Sequence, residues 1–155
     1  MLSIKKSIEI KAPASEVFKF ITTPENLPVV WPSMMEVSNV TMNPNGLQAF
    51  DWVYKMAGIH FHGHSDTVEI KPDQLLVMKN EKGITSKFRW AFEGRGDSTV
   101  LTMEADYEIP GALGKLAKPF LQKLNEREAE TLLANTKMRL EEGRREVRRD
   151  VQPHA

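Results

Sequence analysis

The chain contains no cysteine, which excludes disulfides, thiolate metal sites, iron–sulfur clusters and cysteine nucleophiles together. It also lacks net charge: 21 Lys and Arg balance 21 Asp and Glu. The basic excess that usually marks a nucleic-acid-binding domain is therefore missing, and no nucleic-acid partner is expected. No apolar run approaches the roughly 20 residues of a membrane-spanning helix, so no integral membrane association is expected. The opening MLSIKKSIEI has no long apolar stretch of the secretory type, which predicts a cytoplasmic protein. Phosphate-binding glycine loops, nucleophile elbows and metalloprotease helices are missing too, and the sequence implies no cofactor.

What is present is 155 residues, enough for one domain that buries roughly 70% of its unfolded surface. Leu2, Ile4, Ile8 and Ile10 alternate with polar residues as in a half-buried strand, closed by Pro13. Val17, Phe18 and Ile21 then fall at helical spacing. Thr23-Pro24-Glu25 predicts a second, short helix with Thr23 as its N-cap, limited by Pro28 and Pro32.

From Met35 to Ile109 the pattern is one of strands broken by turns. Asn43-Pro44-Asn45-Gly46, Ala57-Gly58, Lys71-Pro72-Asp73, Glu81-Lys82-Gly83 and Gly94-Arg95-Gly96-Asp97 supply the turn chemistry. Phe50, Trp52, Tyr54 and Met56 share one face of a strand. So do Phe88, Trp90 and Phe92, and so do Leu101, Met103, Ala105, Tyr107 and Ile109. Past Pro110-Gly111 the period becomes helical, with Leu113, Leu116, Phe120, Leu124, Thr131, Asn135 and Met138 at three- and four-residue steps. Pro119 predicts a kink, or a short helix followed by a long one running to about Gly143.

The order predicts an α+β fold: a curved antiparallel sheet of about seven strands wrapped around a long C-terminal helix, with two short helices after the first strand. One domain is expected over residues 1–143, followed by a charged, frayed tail at 144–155. The aromatic bulk on the concave face exceeds what one helix stripe needs, and a cavity between sheet and helix is the predicted consequence.

Four segments carry a family resemblance: Ile8-Glu9-Ile10-Lys11-Ala12-Pro13-Ala14-Ser15-Glu16-Val17-Phe18; Pro24-Glu25-Asn26-Leu27-Pro28 leading to Trp31-Pro32; Val68-Glu69-Ile70-Lys71-Pro72; and Pro110-Gly111. On these the chain resembles the START-like (SRPBCC) helix-grip superfamily, in its polyketide cyclase/dehydrase branch, over essentially residues 2–142. The resemblance implies a deep apolar tunnel for a small hydrophobic ligand such as a lipid, sterol, polyketide or quinone. It supplies no catalytic motif that matches residue by residue.

With such a tunnel implied, Phe50, Trp52, Tyr54, Phe88, Trp90, Met103 and Tyr107 from the sheet become the candidate ligand contacts. Leu116, Phe120 and Leu124 join them from the helix. Simple core filling explains the same stripe. Glu128 and Asn135 lie on or beside the helix's inner stripe, placed either to meet a ligand's polar end or to bond the sheet.

His60, His62, His64 and Asp66 share one face of their strand, a spacing that suits a divalent metal. A two-residue Ala57-Gly58 turn pairs Tyr54 with Phe61 and sends the histidines outward. A three-residue loop pairs Tyr54 with His60 and sends them in. The burial that Ile59 and Phe61 demand favours the outward register, and no metal site is assigned.

Arg95-Gly96-Asp97 is expected to be turn chemistry rather than an adhesion motif. The Arg144–Arg149 cluster is expected to be a solvated helix end. The function these features predict is the carrying or sensing of a small hydrophobic molecule. A polyketide cyclase using Tyr54, Tyr107 or an inward histidine is the alternative, and a protein-interaction module the third.

Overall fold

A computed structural model describes residues 1–151, with side chains described through Arg144. Strand β1 (Leu2–Ile10) is followed by helix α1 (Ala14–Ile21), a 3-10 turn at Pro24–Asn26 and the single-turn helix α2 (Leu27–Val30). Six strands follow: β2 (Met34–Met42), β3 (Gln48–Met56), β4 (Ile59–Lys71), β5 (Leu75–Lys82), β6 (Ser86–Arg95) and β7 (Ser98–Tyr107). A second 3-10 turn, Gly111–Leu113, precedes the long helix α3, Lys118–Val151. The strands form one antiparallel sheet in the order β1-β7-β6-β5-β4-β3-β2.

The predicted fold class is the observed one. β2 to β7 are consecutive hairpin neighbours, and β1 closes the far edge against β7. Ala57 and Gly58 both take positive φ, 49° and 83°, as a two-residue hairpin turn requires. Tyr54 consequently pairs with Phe61, and His60 faces Lys55. Arg95-Gly96-Asp97 lies at the β6–β7 turn, with Gly96 at φ 66°. Thr23 departs from expectation. It caps no helix with its side chain; its hydroxyl instead donates to the Lys19 carbonyl at 2.7 Å, because the next segment is a 3-10 turn.

Helix α3 runs alongside β1 in the same direction. Gln122 donates to the Ser3 carbonyl at 2.9 Å, Lys6 pairs with Glu130 at 3.0 Å, and Lys137 donates to the Glu9 carbonyl at 2.8 Å. The spans agree, since 15 helical residues rise about 22 Å and six strand residues about 20 Å. Asn135 donates to the Val30 carbonyl at 3.0 Å, so it ties the helix to α2 rather than facing the cavity.

The helix differs from its sequence pattern in phase and in length. Its buried side is Leu121, Asn125, Ala129, Leu132, Leu133 and Thr136. That side is one position on from the Leu116–Phe120–Leu124 stripe, because the segment before Lys118 is not helical and sets no phase. Leu116 and Phe120 are exposed, at 38% and 53%, and Leu124 is half-buried. Thr131 and Met138 also face outward. The helix passes Gly143 without a break and reaches Val151. The side chains of Arg145–Arg149 and residues 152–155 lie outside the described part, and with them most of the expected tail.

Candidate functional site

The concave face of the sheet and the inner side of α3 enclose a cavity of about 80 Å³. Every strand contributes to its wall: Ile4 from β1, Met34 from β2, Phe50, Trp52, Tyr54 and Met56 from β3, and Ser65 from β4. Met78 and Asn80 come from β5, Ser86, Phe88 and Trp90 from β6, and Met103, Ala105 and Tyr107 from β7. Leu27 and Trp31 close it from the α2 region, Ile84 from the β5–β6 turn, and Asn125, Glu128 and Ala129 from α3. All of these are buried except Ser86, Phe88 and Glu128, which are half-buried and mark the side nearest solvent. The alternation of β3, β6 and β7 places the aromatic residues inward together, while the small side chain of Ala129 leaves the space open.

Three polar stations interrupt the apolar wall. At the first, the Asn80 amide oxygen accepts the Trp52 indole N–H at 3.1 Å and the Ser65 hydroxyl. The Asn80 amide nitrogen donates to Ser86 Oγ at 3.0 Å, and the Ser86 hydroxyl donates to the Ile84 carbonyl at 3.2 Å. The second station joins Tyr107 to α3: Asn125 Nδ2 donates to the phenol oxygen at 2.6 Å and to the Leu121 carbonyl at 2.9 Å. Burial raises the Tyr107 pKa, partly offset by the Asn125 hydrogen bond.

At the third station, Glu128 Oε1 accepts the Ser33 backbone N–H at 2.6 Å. Trp31 packs edge-on against Tyr54, with ring centroids 5.5 Å apart, and tilted against Phe88 at 5.6 Å. Its indole N–H is buried and lies beside the Tyr54 hydroxyl oxygen, in a contact short of good hydrogen-bond geometry. Burial, reinforced by the Glu128 charge, pushes the Tyr54 phenol well above its ordinary value, while the neighbouring Trp31 and Ser33 side chains pull the other way. Tyr54 thus stays a protonated hydroxyl at any physiological pH.

Phe50, Trp52, Tyr54, Phe88, Trp90, Met103 and Tyr107 therefore converge on one cavity. Leu116, Phe120 and Leu124 do not line it. Their place on the helix wall is taken by Asn125, Glu128 and Ala129. Of these only Glu128 stands out in the sequence, because an inward Asn and Ala carry little hydrophobic signal. Trp31 and Met34 also escape periodicity, since they sit in and just after the irregular Pro32 segment. Asn80 is hidden among the polar residues Lys79, Asn80, Glu81 and Lys82.

The histidine row lies on the opposite face of the sheet, as the two-residue turn dictates. His60 and His62 are exposed. His64 bonds Asp51 through Nδ1 at 2.7 Å and Asp66 through Nε2 at 3.4 Å. The Asp51 hydrogen bond raises the His64 pKa, and Asp51 is lowered in turn, chiefly by its hydrogen bond from Asn39 and then by His64. Among the described residues, no three His, Asp or Glu side chains converge as metal ligands would. No described helix is long and apolar enough to cross a membrane.

A curved seven-stranded sheet closed over an apolar cavity by one long C-terminal helix defines the START-type helix-grip class. The chain belongs to the family described as polyketide cyclase/dehydrase and lipid transport, whose model matches residues 1–141. Among solved structures it is similar to a START superfamily protein from Mycobacterium smegmatis, at 17% identity and TM-score 0.78, covering 90% of this chain and 97% of that one. A protein from Thermus thermophilus is similar at 20% identity and TM-score 0.72, covering 92% and 99%. The Zhui aromatase/cyclase from a Streptomyces species is similar at 16% identity and TM-score 0.71, covering 90% and 93%. At these identities the likeness is one of fold. No curated protein matches the sequence.

Proposed function

We propose that the protein binds and carries a small hydrophobic molecule in the cavity under α3. The observation that carries this reading is the lining: buried aromatic, methionine and aliphatic side chains, with the polar groups confined to three small stations. Burial of apolar ligand surface would supply about 25 cal/mol per Å², with few polar contacts to set orientation.

Chemistry on a polyketide is the weaker reading. Proton transfer near neutral pH needs a group that titrates there. The histidines face away from the cavity, and both phenols are raised. Glu128 is the one carboxylate on the lining, and its Oε1 is already engaged by the Ser33 amide.

Native mass spectrometry of freshly purified protein, compared with its denatured mass, tests the binding reading. The expected result is a small organic adduct, released on denaturation. A bare native mass, together with no uptake from a hydrophobic extract, would overturn it.

A further inference from the structure

A second cavity, of about 50 Å³, lies on the concave face toward the opposite end of the sheet. Its strand residues come from the start of β3, the end of β4 and the start of β5, and Ile21, Thr22 and Pro24 cover it from the end of α1 and the turn beyond. Leu27, Phe50, Met78 and Trp90 line both cavities, so a single layer of side chains separates them. Phe50 and Trp90 are rigid rings. Met78, from the middle of β5, is unbranched and changes rotamer readily, which makes it the movable part of the partition.

Size gives the partition its meaning. The central cavity holds about 80 Å³, whereas an apolar cavity of roughly 150 Å³ is the size known to take benzene. Neither chamber reaches that volume alone; joined, with the Met78 side chain drawn aside, they approach it. The second chamber also suits a particular kind of group. Ile21, Pro24, Leu47, Ile70 and Leu76 give it an apolar wall, and the Thr22 hydroxyl is already turned to the Phe18 carbonyl at 2.7 Å. Thr22, Leu47 and Gln48 are half-buried and Ile70 is exposed, so this chamber has its own outlet to solvent.

Resting on the ligand-binding reading above, we propose that the two cavities are one site in two chambers divided by Met78. A compact apolar head occupies the central chamber, and an unbranched alkyl chain passes Met78 into the chamber under α1. That second chamber is a chain subsite, and it favours ligands bearing a flexible hydrocarbon tail over compact ones.

Benzene and n-butylbenzene, titrated into the intact protein, test the subsite. Butylbenzene is expected to bind tighter by about 4-fold for each methylene that the chamber buries. Thr67→Ile adds bulk to the second chamber from the buried face of β4, and it should remove most of that gain while leaving benzene affinity in place. A readout on the unaltered chain does not depend on that variant folding. Ile4 and Ile84 line only the central chamber, and Ile21 and Ile70 only the second. With labelled isoleucine methyl groups, benzene should shift Ile4 and Ile84, and butylbenzene should shift all four. Equal affinity for the two probes, a gain that survives in folded Thr67→Ile, or unmoved Ile21 and Ile70 while butylbenzene shifts Ile4 and Ile84 would each overturn the proposal and leave the binding reading standing. Failure of both probes to bind would count against the binding reading, and against the proposal with it.

Discussion

A side chain on Gly63 has nowhere to go: a Cβ there would collide with the Trp52 ring and meet the Lys82 carbonyl. The bare backbone lets the indole approach β4 closely with its N–H on Asn80. Gly63→Ala should therefore cost about 1–3 kcal/mol, the usual price of overpacking, and tilt Trp52 out of its hydrogen bond. Chemical denaturation with tryptophan fluorescence would show both effects, and an unchanged midpoint with an unchanged emission maximum would contradict them. Nothing in the sequence separates this glycine from others in turns. It sits inside His62-Gly63-His64, where the histidines attract the attention and the glycine does the packing. Trp31 was equally quiet, because its place in the cavity wall becomes visible only when its neighbours are in place.

The hairpin of β3 and β4 was the most legible element, since the identity of a two-residue turn fixes which side chains face in. Its outer face carries the His64–Asp51 pair, which makes stability depend on pH with a definite sign. His64 has a folded pKa above its unfolded one, so its contribution is complete below about 6.5 and fades as the pH rises through the higher folded value. Asp51, with a lowered folded pKa, contributes above about 3.9 and loses its contribution as the pH falls through the folded value. Both groups are partly exposed, which screens the pair and keeps the effect small. In an NMR titration His64 should ionise above the ordinary histidine value, and Asp51→Asn should lower its midpoint. A midpoint indifferent to that substitution would remove Asp51 as the cause. Helix α3 was less legible. Its existence follows from the period, but its phase does not, because the large residues Leu116 and Phe120 precede or open the helix and point away. The inward side instead holds Asn125 and Ala129, whose value lies in hydrogen bonding and in leaving room.

At the scale of the whole molecule, alternation and turn chemistry determine the sheet, and the sheet requires a covering helix. The fold was therefore readable, and so was the sheet half of the cavity. The rest of the wall depends on irregular backbone near Pro32 and on small or polar side chains that no hydrophobic pattern marks. The central claim is that this wall, and no other surface, receives the ligand. The eight methionines divide evenly for a test of it. Met34, Met56, Met78 and Met103 line the cavity, while Met1, Met35, Met42 and Met138 are exposed. We would label the methionine methyl groups and follow their NMR signals as benzene, a probe small enough for an apolar cavity, is added. The account predicts that the four lining methyls shift together with one saturating dissociation constant while the four exposed ones stay in place. Shifts among the exposed methyls with the lining set unmoved would contradict it.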